Sequence, residues 1–272
     1  MEQTLNPTVI SGLFTVCLYF MAVASSLLML RSKANSPAGF NLLTFSAIGI
    51  HGFYLYLAID NSGQQNLNLW LMMGLTNWLA LLVLMFNSLK RPVTLMIAII
   101  GSFAALTTTL SLLFPGEKSV DLSGQWLALI HIFAAMIATG MLMLASVQAI
   151  LVIIADRQLR SHPTHIPSFF PPLQSLESFL FQLLMLGFGL MSVALLIAFA
   201  YLDPSLSPQP LHKLVLSSLA WVVFAVLIIG HRLKGWRGRQ AAHWTLGGFA
   251  LLSLGYFGSK LVLELILNSP AL

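Results

Sequence analysis

Ionisable side chains inside long apolar segments are the residues of this sequence whose types and positions could do chemistry. Such a side chain is costly at membrane depth, so each one suggests a function by default. These residues are His51, His131, His212, Lys213, Lys260 and Glu264. Two imidazoles from different helices suit the axial positions of a haem iron, and nearby lysines suit its propionates. His131 and His212 are therefore a candidate iron-binding pair. They enter the fifth and seventh segments from the same side.

Other interpretations of these residues stay open. A lone membrane histidine, such as the deeper His51, can hydrogen-bond across helices. Lys213 can extend from its helix end to the membrane interface. Lys260 and Glu264 are four residues apart and can neutralise each other, although this order of charges is the weaker one. The residues alone do not decide between these roles and haem binding.

Eight apolar segments of about 20 residues position these side chains, and this length is the span of a helix that crosses hydrocarbon. They cover residues 8 to 30, 39 to 59, 68 to 87, 93 to 114, 126 to 154, 178 to 202, 211 to 231 and 244 to 266. Hydrophobic residues make up 58% of the 272 and charged residues 8%, too few charges for a soluble domain. The runs are continuous rather than alternating, which excludes membrane strands. The sequence therefore predicts an all-α, polytopic bundle of eight transmembrane helices, as a single domain over residues 1-272.

The distribution of cations predicts the orientation of the bundle. Four alternate loops hold ten of the thirteen Lys and Arg residues, and such loops face the cytoplasm. The loops DNSGQQN and PGEKSVDLSGQ carry Asp60, Glu117 and Asp121 against one Lys. We therefore expect both termini outside and a multi-pass membrane protein. The net charge of +5 is a topology signal, so the lipid bilayer is expected as a partner and nucleic acid is not.

The densest cation cluster lies in HRLKGWRGRQAAHW, residues 231 to 244. It is expected to fix the turn between the seventh and eighth spans at anionic headgroups, at about 1 kcal/mol per cation. Gly235 and Gly238 allow a tight reversal, and Trp236 adds an interfacial anchor. His231 and His243 are expected to be ordinary polar residues of this aqueous loop.

Several functional classes are disfavoured by the residues that are missing from the sequence. The single Cys17 excludes an internal disulfide, and neither CxxC nor CxxCH occurs, which argues against a thiol oxidoreductase or a c-type cytochrome. His162 and His165 flank a proline without a Cys or carboxylate beside them, a poor metal site. MEQTLNP has no basic region ahead of the first span, which is expected to remain as a helix. No nucleophile, base and orienting group occur together, so we expect no enzyme activity.

Three stretches resemble the cytochrome c assembly (CcsA-like, haem-handling) family of membrane proteins. They are WLALIHIFAAMIATGMLMLAS, SFFPPLQSLESFLFQLLMLGFGLMSVAL and KLVLSSLAWVVFAVLIIGHRLKGWRGRQAA. They are similar to the family's histidine-bearing helix, its Leu-Pro-Ser-Leu-Glu stretch with a Gly-Phe helix, and its basic Gly-Trp-Arg-Gly-Arg segment. The resemblance is strongest over residues 126-260 and is closest to the family's YpjD-type inner-membrane branch.

This resemblance implies a multi-pass, haem-binding helical bundle in the bacterial inner membrane. It implies that His131 is the first outer-face haem ligand and His212 the second, with Lys213 at the place of a family lysine. Lys260 is expected to face the same outer pocket, and His51 is similar in depth to the family's membrane-embedded histidines. Haem is therefore the expected cofactor, and a second membrane or periplasmic protein is a further expected partner.

One departure from the family concerns the loop between spans six and seven. The family carries a tryptophan-rich, haem-presenting loop there, whereas this chain has YLDPSLSPQP without a tryptophan. We therefore expect a haem-handling protein that is not itself a cytochrome c ligase. A secondary transporter and a structural or regulatory subunit of a membrane complex remain as alternatives, although a transporter should show paired, interrupted helices in its two halves.

Overall fold

A computed structural model describes residues 6–31, 37–61, 64–88, 93–116, 119–161, 172–201 and 211–258. Within these ranges the chain forms eight α-helices, the last of which continues as a π-helical turn, Leu254–Gly258. The helices are α1 (Pro7–Arg31), α2 (Pro37–Ile59), α3 (Leu69–Ser88), α4 (Thr94–Leu113), α5 (Trp126–Ser161), α6 (Leu173–Tyr201), α7 (Leu211–Lys234) and α8 (Gly238–Ser253). Three short strands lie in the loops of the first half.

The predicted all-α membrane bundle is confirmed. In the described part of the chain, α1 to α7 are long and apolar enough to cross a membrane. α5 has 36 residues, about 54 Å of helix against about 30 Å of hydrocarbon, which is long enough to tilt or to extend beyond the bilayer. α8 begins six residues before the predicted eighth span, and the end of that span lies outside the described residues. The outside location of both termini stays a prediction.

The chain divides into two compact units, Met1–Trp126 and Leu127–Leu272. The N-terminal unit contains α1 to α4, and the C-terminal unit contains α5, apart from its first residue, to α8. Each unit has its own helix packing. The single domain predicted over residues 1-272 stays a prediction.

The helices of the N-terminal unit pack mainly against α4 and α1. α1 packs on α2 and α4, and α3 packs along α4. The Trp78 indole N–H donates to the carbonyl of Ile48 at 2.8 Å, and the Asn77 amide donates to the Thr107 hydroxyl at 3.2 Å. Between membrane helices, packing and such hydrogen bonds supply the attraction because lipid is as apolar as the helices themselves. These polar side chains therefore help to hold the helices of this unit together.

A small antiparallel sheet joins the loops of this unit, and the sequence does not predict it. The Asn66 and Asn68 amides both donate to the carbonyl of Gly116, at 3.0 and 2.8 Å. The segments are two or three residues long, too short to show the alternation that marks a strand. The strands, in sheet order, are β1 (Asp60–Asn61), β2 (Gln64–Asn66) and β3 (Ser119–Val120).

The loop after β3 holds a carboxyl group with a shifted pKa. Hydrogen bonds from the side chain and backbone of Ser123 hold the pKa of Asp121 below the ordinary aspartate value. The backbone N–H of Ser123 is 2.8 Å from the carboxylate. Donors that point at the ionised form stabilise that form, so this turn is best formed when Asp121 is charged.

The helices of the C-terminal unit are joined by polar contacts at several depths. The buried Gln148 amide of α5 donates to the carbonyl of Leu176 of α6 at 2.9 Å. Between α6 and α7, the Trp221 indole N–H donates to the Ser192 hydroxyl at 2.8 Å, and the Trp221 ring stacks on Phe188. These contacts fix the axial register of the three helices and therefore the relative depths of their histidines.

Candidate functional site

His131 lies in the second turn of α5 and is held by a hydrogen bond to α6. Its Nδ1 is 2.9 Å from the carbonyl oxygen of Ala194. A carbonyl only accepts, so Nδ1 carries the hydrogen, and Nε2 of the neutral ring keeps its lone pair. Metal-binding histidines are commonly oriented by such a bond from the other ring nitrogen. The residue is partly exposed, and no hydrogen bond to Nε2 is found among the described residues.

His212 and Lys213 are the second and third residues of α7. The His212 side chain is exposed, whereas Lys213 is partly buried. Both residues lie in the first turn, where the backbone N–H groups of a helix have no intrahelical acceptor and the helix dipole is positive. This end of α7 therefore favours an anionic group nearby, as the predicted role of Lys213 requires.

The register of the helices gives the relative depth of His131 and His212. His131 is level with Ala194 of α6. On α7, Trp221 is level with Ser192 and His231 with Phe181, which places His212 level with the last residues of α6. The two histidines thus share one end of the unit, with His212 farther out by about six to seven residues of helix, about 9 to 10 Å at 1.5 Å per residue. They do not lie at the same level.

The π-helical turn Leu254–Gly258 packs against the first turns of α7. A Cβ on Gly255 would lie 2.9 Å from Cβ of Leu216 and 3.7 Å from the carbonyl oxygen of Lys213. Glycine thus permits the close approach of the two helices. π turns are frequent at functional sites, and this one lies at the same end of the unit as His212. The sequence does not predict it, and the glycines of GYFG are the signal that could have indicated it.

Some predicted residues lie outside the described part of the chain. Lys260 and Glu264 follow residue 258, and His162 and His165 lie between α5 and α6. Among the described residues, Lys213 is therefore the predicted cation that can be placed near His212. No group of three or more His, Cys, Asp or Glu side chains in the described ranges could hold a metal ion.

His51 is fully buried in the N-terminal unit, and both of its ring nitrogens have partners. The Tyr19 hydroxyl is 2.9 Å from Nδ1, and Thr108 Oγ1 is 3.4 Å from Nε2. Thr108 donates its single hydrogen to the Ala104 carbonyl, so it accepts the weaker bond from Nε2–H and Tyr19 donates to Nδ1. This neutral tautomer satisfies the ring without burying a charge. His51 thereby joins α1, α2 and α4.

A second chain of hydrogen bonds runs beside this histidine. The Tyr54 hydroxyl is 2.6 Å from Ser111 Oγ, and Ser111 donates to the carbonyl of Thr108, so Tyr54 is the donor to Ser111. The Tyr54 ring also stacks near the His51 ring, with centroids 6.4 Å apart. A ligand on His51 would have to displace part of this network, whereas Nε2 of His131 has no hydrogen-bond partner among the described residues.

His231 is packed rather than solvated, in contrast to its predicted place in an aqueous loop. It lies in the last turn of α7, and its ring stacks on Phe181 of α6 with centroids 3.5 Å apart. Nδ1 is 2.8 Å from the carbonyl oxygen of Trp236, so Nδ1 carries the hydrogen and Nε2 keeps its lone pair. His243, in contrast, is exposed, and its Nδ1 contacts the carbonyl of Arg239 in its own helix.

Comparisons with known proteins give consistent matches. The family described as cytochrome C assembly protein matches residues 8–267. The "inner membrane protein YpjD" of Escherichia coli (strain K12) is 30% identical over 207 residues, which cover 76% of this chain and 79% of the relative. The "cytochrome c biogenesis protein CcsA" of Chlamydomonas reinhardtii is 23% identical over 195 residues, 70% of this chain and 52% of that protein. No solved structure matches the chain.

Proposed function

The chain belongs to the cytochrome c assembly protein family, and from this premise we propose that it is a multi-pass inner-membrane protein that binds and handles haem. The E. coli relative is named an inner membrane protein, and the C. reinhardtii relative is named for cytochrome c biogenesis. Seven helices of this chain, counted over the described residues, are suited to cross a membrane. Family and architecture thus support the same proposal.

The observation that carries this proposal is the hydrogen bond from His131 to Ala194. Neutral imidazole is the form that binds iron, through a nitrogen lone pair. The α6 carbonyl holds the ring in one tautomer and one orientation, so the ligating nitrogen is oriented before any ligand arrives. His131 would hold the iron of haem, and haem when bound would supply an iron centre for ligand or electron exchange.

His212 and Lys213 complete the proposed outer site. His212 is exposed on the first turn of α7, and its position at a helix end gives it room to turn toward the level of His131. Lys213 and the positive end of α7 suit the carboxylates of haem propionates. Lys260 is proposed for the same role. His51 was also predicted to bind the cofactor, but its hydrogen bonds favour a structural role.

We propose a further haem-binding residue, His231, at the opposite end of the C-terminal unit from the outer site. His231 has the same arrangement as His131, with Nδ1 bonded to a backbone carbonyl and Nε2 keeping its lone pair. Its stacking on Phe181 orients the ring further and provides an apolar surface. Two oriented histidines, one at each end of the unit, suit a protein that takes up a ligand on one side and releases it on the other.

We propose that the protein is not an enzyme and not itself a cytochrome c ligase. The loop of residues 202–210 contains no tryptophan, so it lacks the residues that could stack on haem while an apocytochrome approaches. Haem handling would then serve a second membrane or periplasmic protein. Of the alternatives, a purely structural subunit predicts no bound chromophore, and a secondary transporter predicts paired, interrupted helices in its two halves.

Haem uptake by the purified full-length protein tests the proposal. Titration with ferric haem in detergent, followed by Soret absorption, should give saturable binding that His131→Ala weakens at least tenfold, because one axial bond is lost. His243→Ala is the matched control, because His243 is also a histidine of this unit whose Nδ1 contacts a backbone carbonyl. Properly folded wild-type protein that takes up no haem, or equal losses in both variants, would refute the proposed function.

A further inference from the structure

The turn between α7 and α8 carries four cations that form no ion pair with another described residue. All four are exposed. We call residues 232–239 the basic turn. The cations are Arg232, Lys234, Arg237 and Arg239. Anions from outside the chain can therefore approach all four.

An exposed apolar side chain lies between two of these cations. Leu233 is 80% exposed, in the last turn of a helix that is suited to cross a membrane. Exposure of a leucine to water is unfavourable, whereas the acyl chains of a lipid accept it. A surface with cations around an exposed leucine is complementary to a membrane boundary. Soluble phosphate and nucleic acid offer no apolar phase for this side chain.

The basic turn is also held in one conformation. Gly235 and Gly238 adopt φ values of 66° and 56°, which favour glycine. Trp236 packs so closely over Gly230 that a Cβ there would lie 2.5 Å from the indole ring, and it also packs on Trp244 at 5.3 Å. Tryptophan is enriched at the membrane interface. The cations are therefore presented from a rigid turn at headgroup level rather than from a flexible loop.

The N-terminus of α8 has an anion from within the protein. A Cβ on Gly238, the first residue of α8, would lie 3.5 Å from a carboxylate oxygen of Glu177. A negative charge at this position complements the positive end of the helix dipole. An external anion is therefore expected at the exposed cationic side chains rather than at the backbone N–H groups of α8.

We propose that the basic turn binds the headgroup phosphates of anionic phospholipids, with Leu233 among their acyl chains. Each cation near an anionic surface contributes about a fivefold change in binding, so four together give a strong preference for anionic over zwitterionic lipid. This site does not depend on haem binding, and either proposal can fail without the other.

Lipid retention by haem-free, full-length protein tests this inference. The protein in nonionic detergent is mixed with phosphatidylglycerol or phosphatidylcholine with identical acyl chains, and bound lipid is counted by native mass spectrometry. Phosphatidylglycerol should be retained preferentially. Arg237→Gln should weaken this preference about fivefold, and neutralising all four cations should abolish it. Arg157→Gln, which removes an exposed cation at the end of α5, is the matched control and should leave the preference unchanged.

Further experiments distinguish lipid binding from the binding of a soluble anion and from the effects of misfolding. Leu233→Gln keeps every charge and should reduce retention of phosphatidylglycerol, while millimolar inorganic phosphate should not displace the lipid. Added salt should lower retention of phosphatidylglycerol by the wild type but not of phosphatidylcholine, which tests the idea without any variant. Equal retention of the two lipids, a preference that survives loss of all four cations, or full displacement by phosphate would overturn the inference.

Discussion

Replacing Tyr19 with Phe removes one hydroxyl from the interior of the N-terminal unit. Tyr19 is 1% exposed, and its hydroxyl is 2.9 Å from Nδ1 of His51. Hydrogen bonds between membrane helices contribute about 0.6 kcal/mol on average and up to about 1.7 kcal/mol. A buried acceptor that loses its donor costs about 1 to 3 kcal/mol. Because Nδ1 of His51 would be such an acceptor, we expect the free energy of unfolding to fall by about 1 to 2 kcal/mol.

Reversible unfolding by sodium dodecyl sulfate in mixed micelles, followed by far-UV circular dichroism, measures this change. Tyr56→Phe is the matched control, because Tyr56 is on the same helix as His51 but is 62% exposed. A double-mutant cycle with His51→Phe isolates the energy of the pair. A cost for Tyr19→Phe no larger than for Tyr56→Phe, or a coupling below about 0.3 kcal/mol, would refute the assignment of this hydrogen bond.

Three further predictions address orientation, activity and pH. Reporters fused after Asn61 and Pro115 should be periplasmic and those after Arg91, Arg157 and Arg237 cytoplasmic, because ten of thirteen cations lie in alternate loops; a periplasmic Arg237 fusion would contradict the eight-span topology. Expression of this chain in cells that lack their cytochrome c ligase should not restore haem-stained c-type cytochromes, and recovery would overturn the non-ligase proposal. In an NMR pH titration the pKa of the Asp121 carboxyl should lie below that of an ordinary aspartate, and an ordinary or raised pKa would contradict the hydrogen bonds of this turn. The contribution of Asp121 to stability is therefore present above the unfolded-state pKa and is lost as the pH falls through the folded-state pKa.

The membrane helices could be predicted from the sequence because their length is set by bilayer thickness. A continuous apolar run such as that of α4 has few other structures available to it in lipid. The short strands could not be predicted, because β3 is two residues long and its pairing partner β2 is more than 50 positions away. Local pattern carries no information about such pairing.

The candidate site was predictable in its residue types but not in its hydrogen bonds. His131 and His51 both stand out as ionisable residues in apolar segments. The sequence does not show that one donates to a carbonyl 63 residues away while the other is enclosed by Tyr19 and Thr108. His231 was placed in an aqueous loop because cations surround it, and its stacking on Phe181 depends on helix register, which composition does not reveal.

The most direct test of haem binding at the outer site is the spectrum of the loaded protein before and after its histidines are replaced. Wild-type protein should give the low-spin spectrum of two axial imidazoles by absorption and low-temperature electron paramagnetic resonance, because neutral histidines bind iron through the free ring nitrogen. His131→Ala and His212→Ala should each remove one axial bond and convert part or all of the signal to high spin. A bis-histidine spectrum that survives both replacements would contradict the assignment of this site.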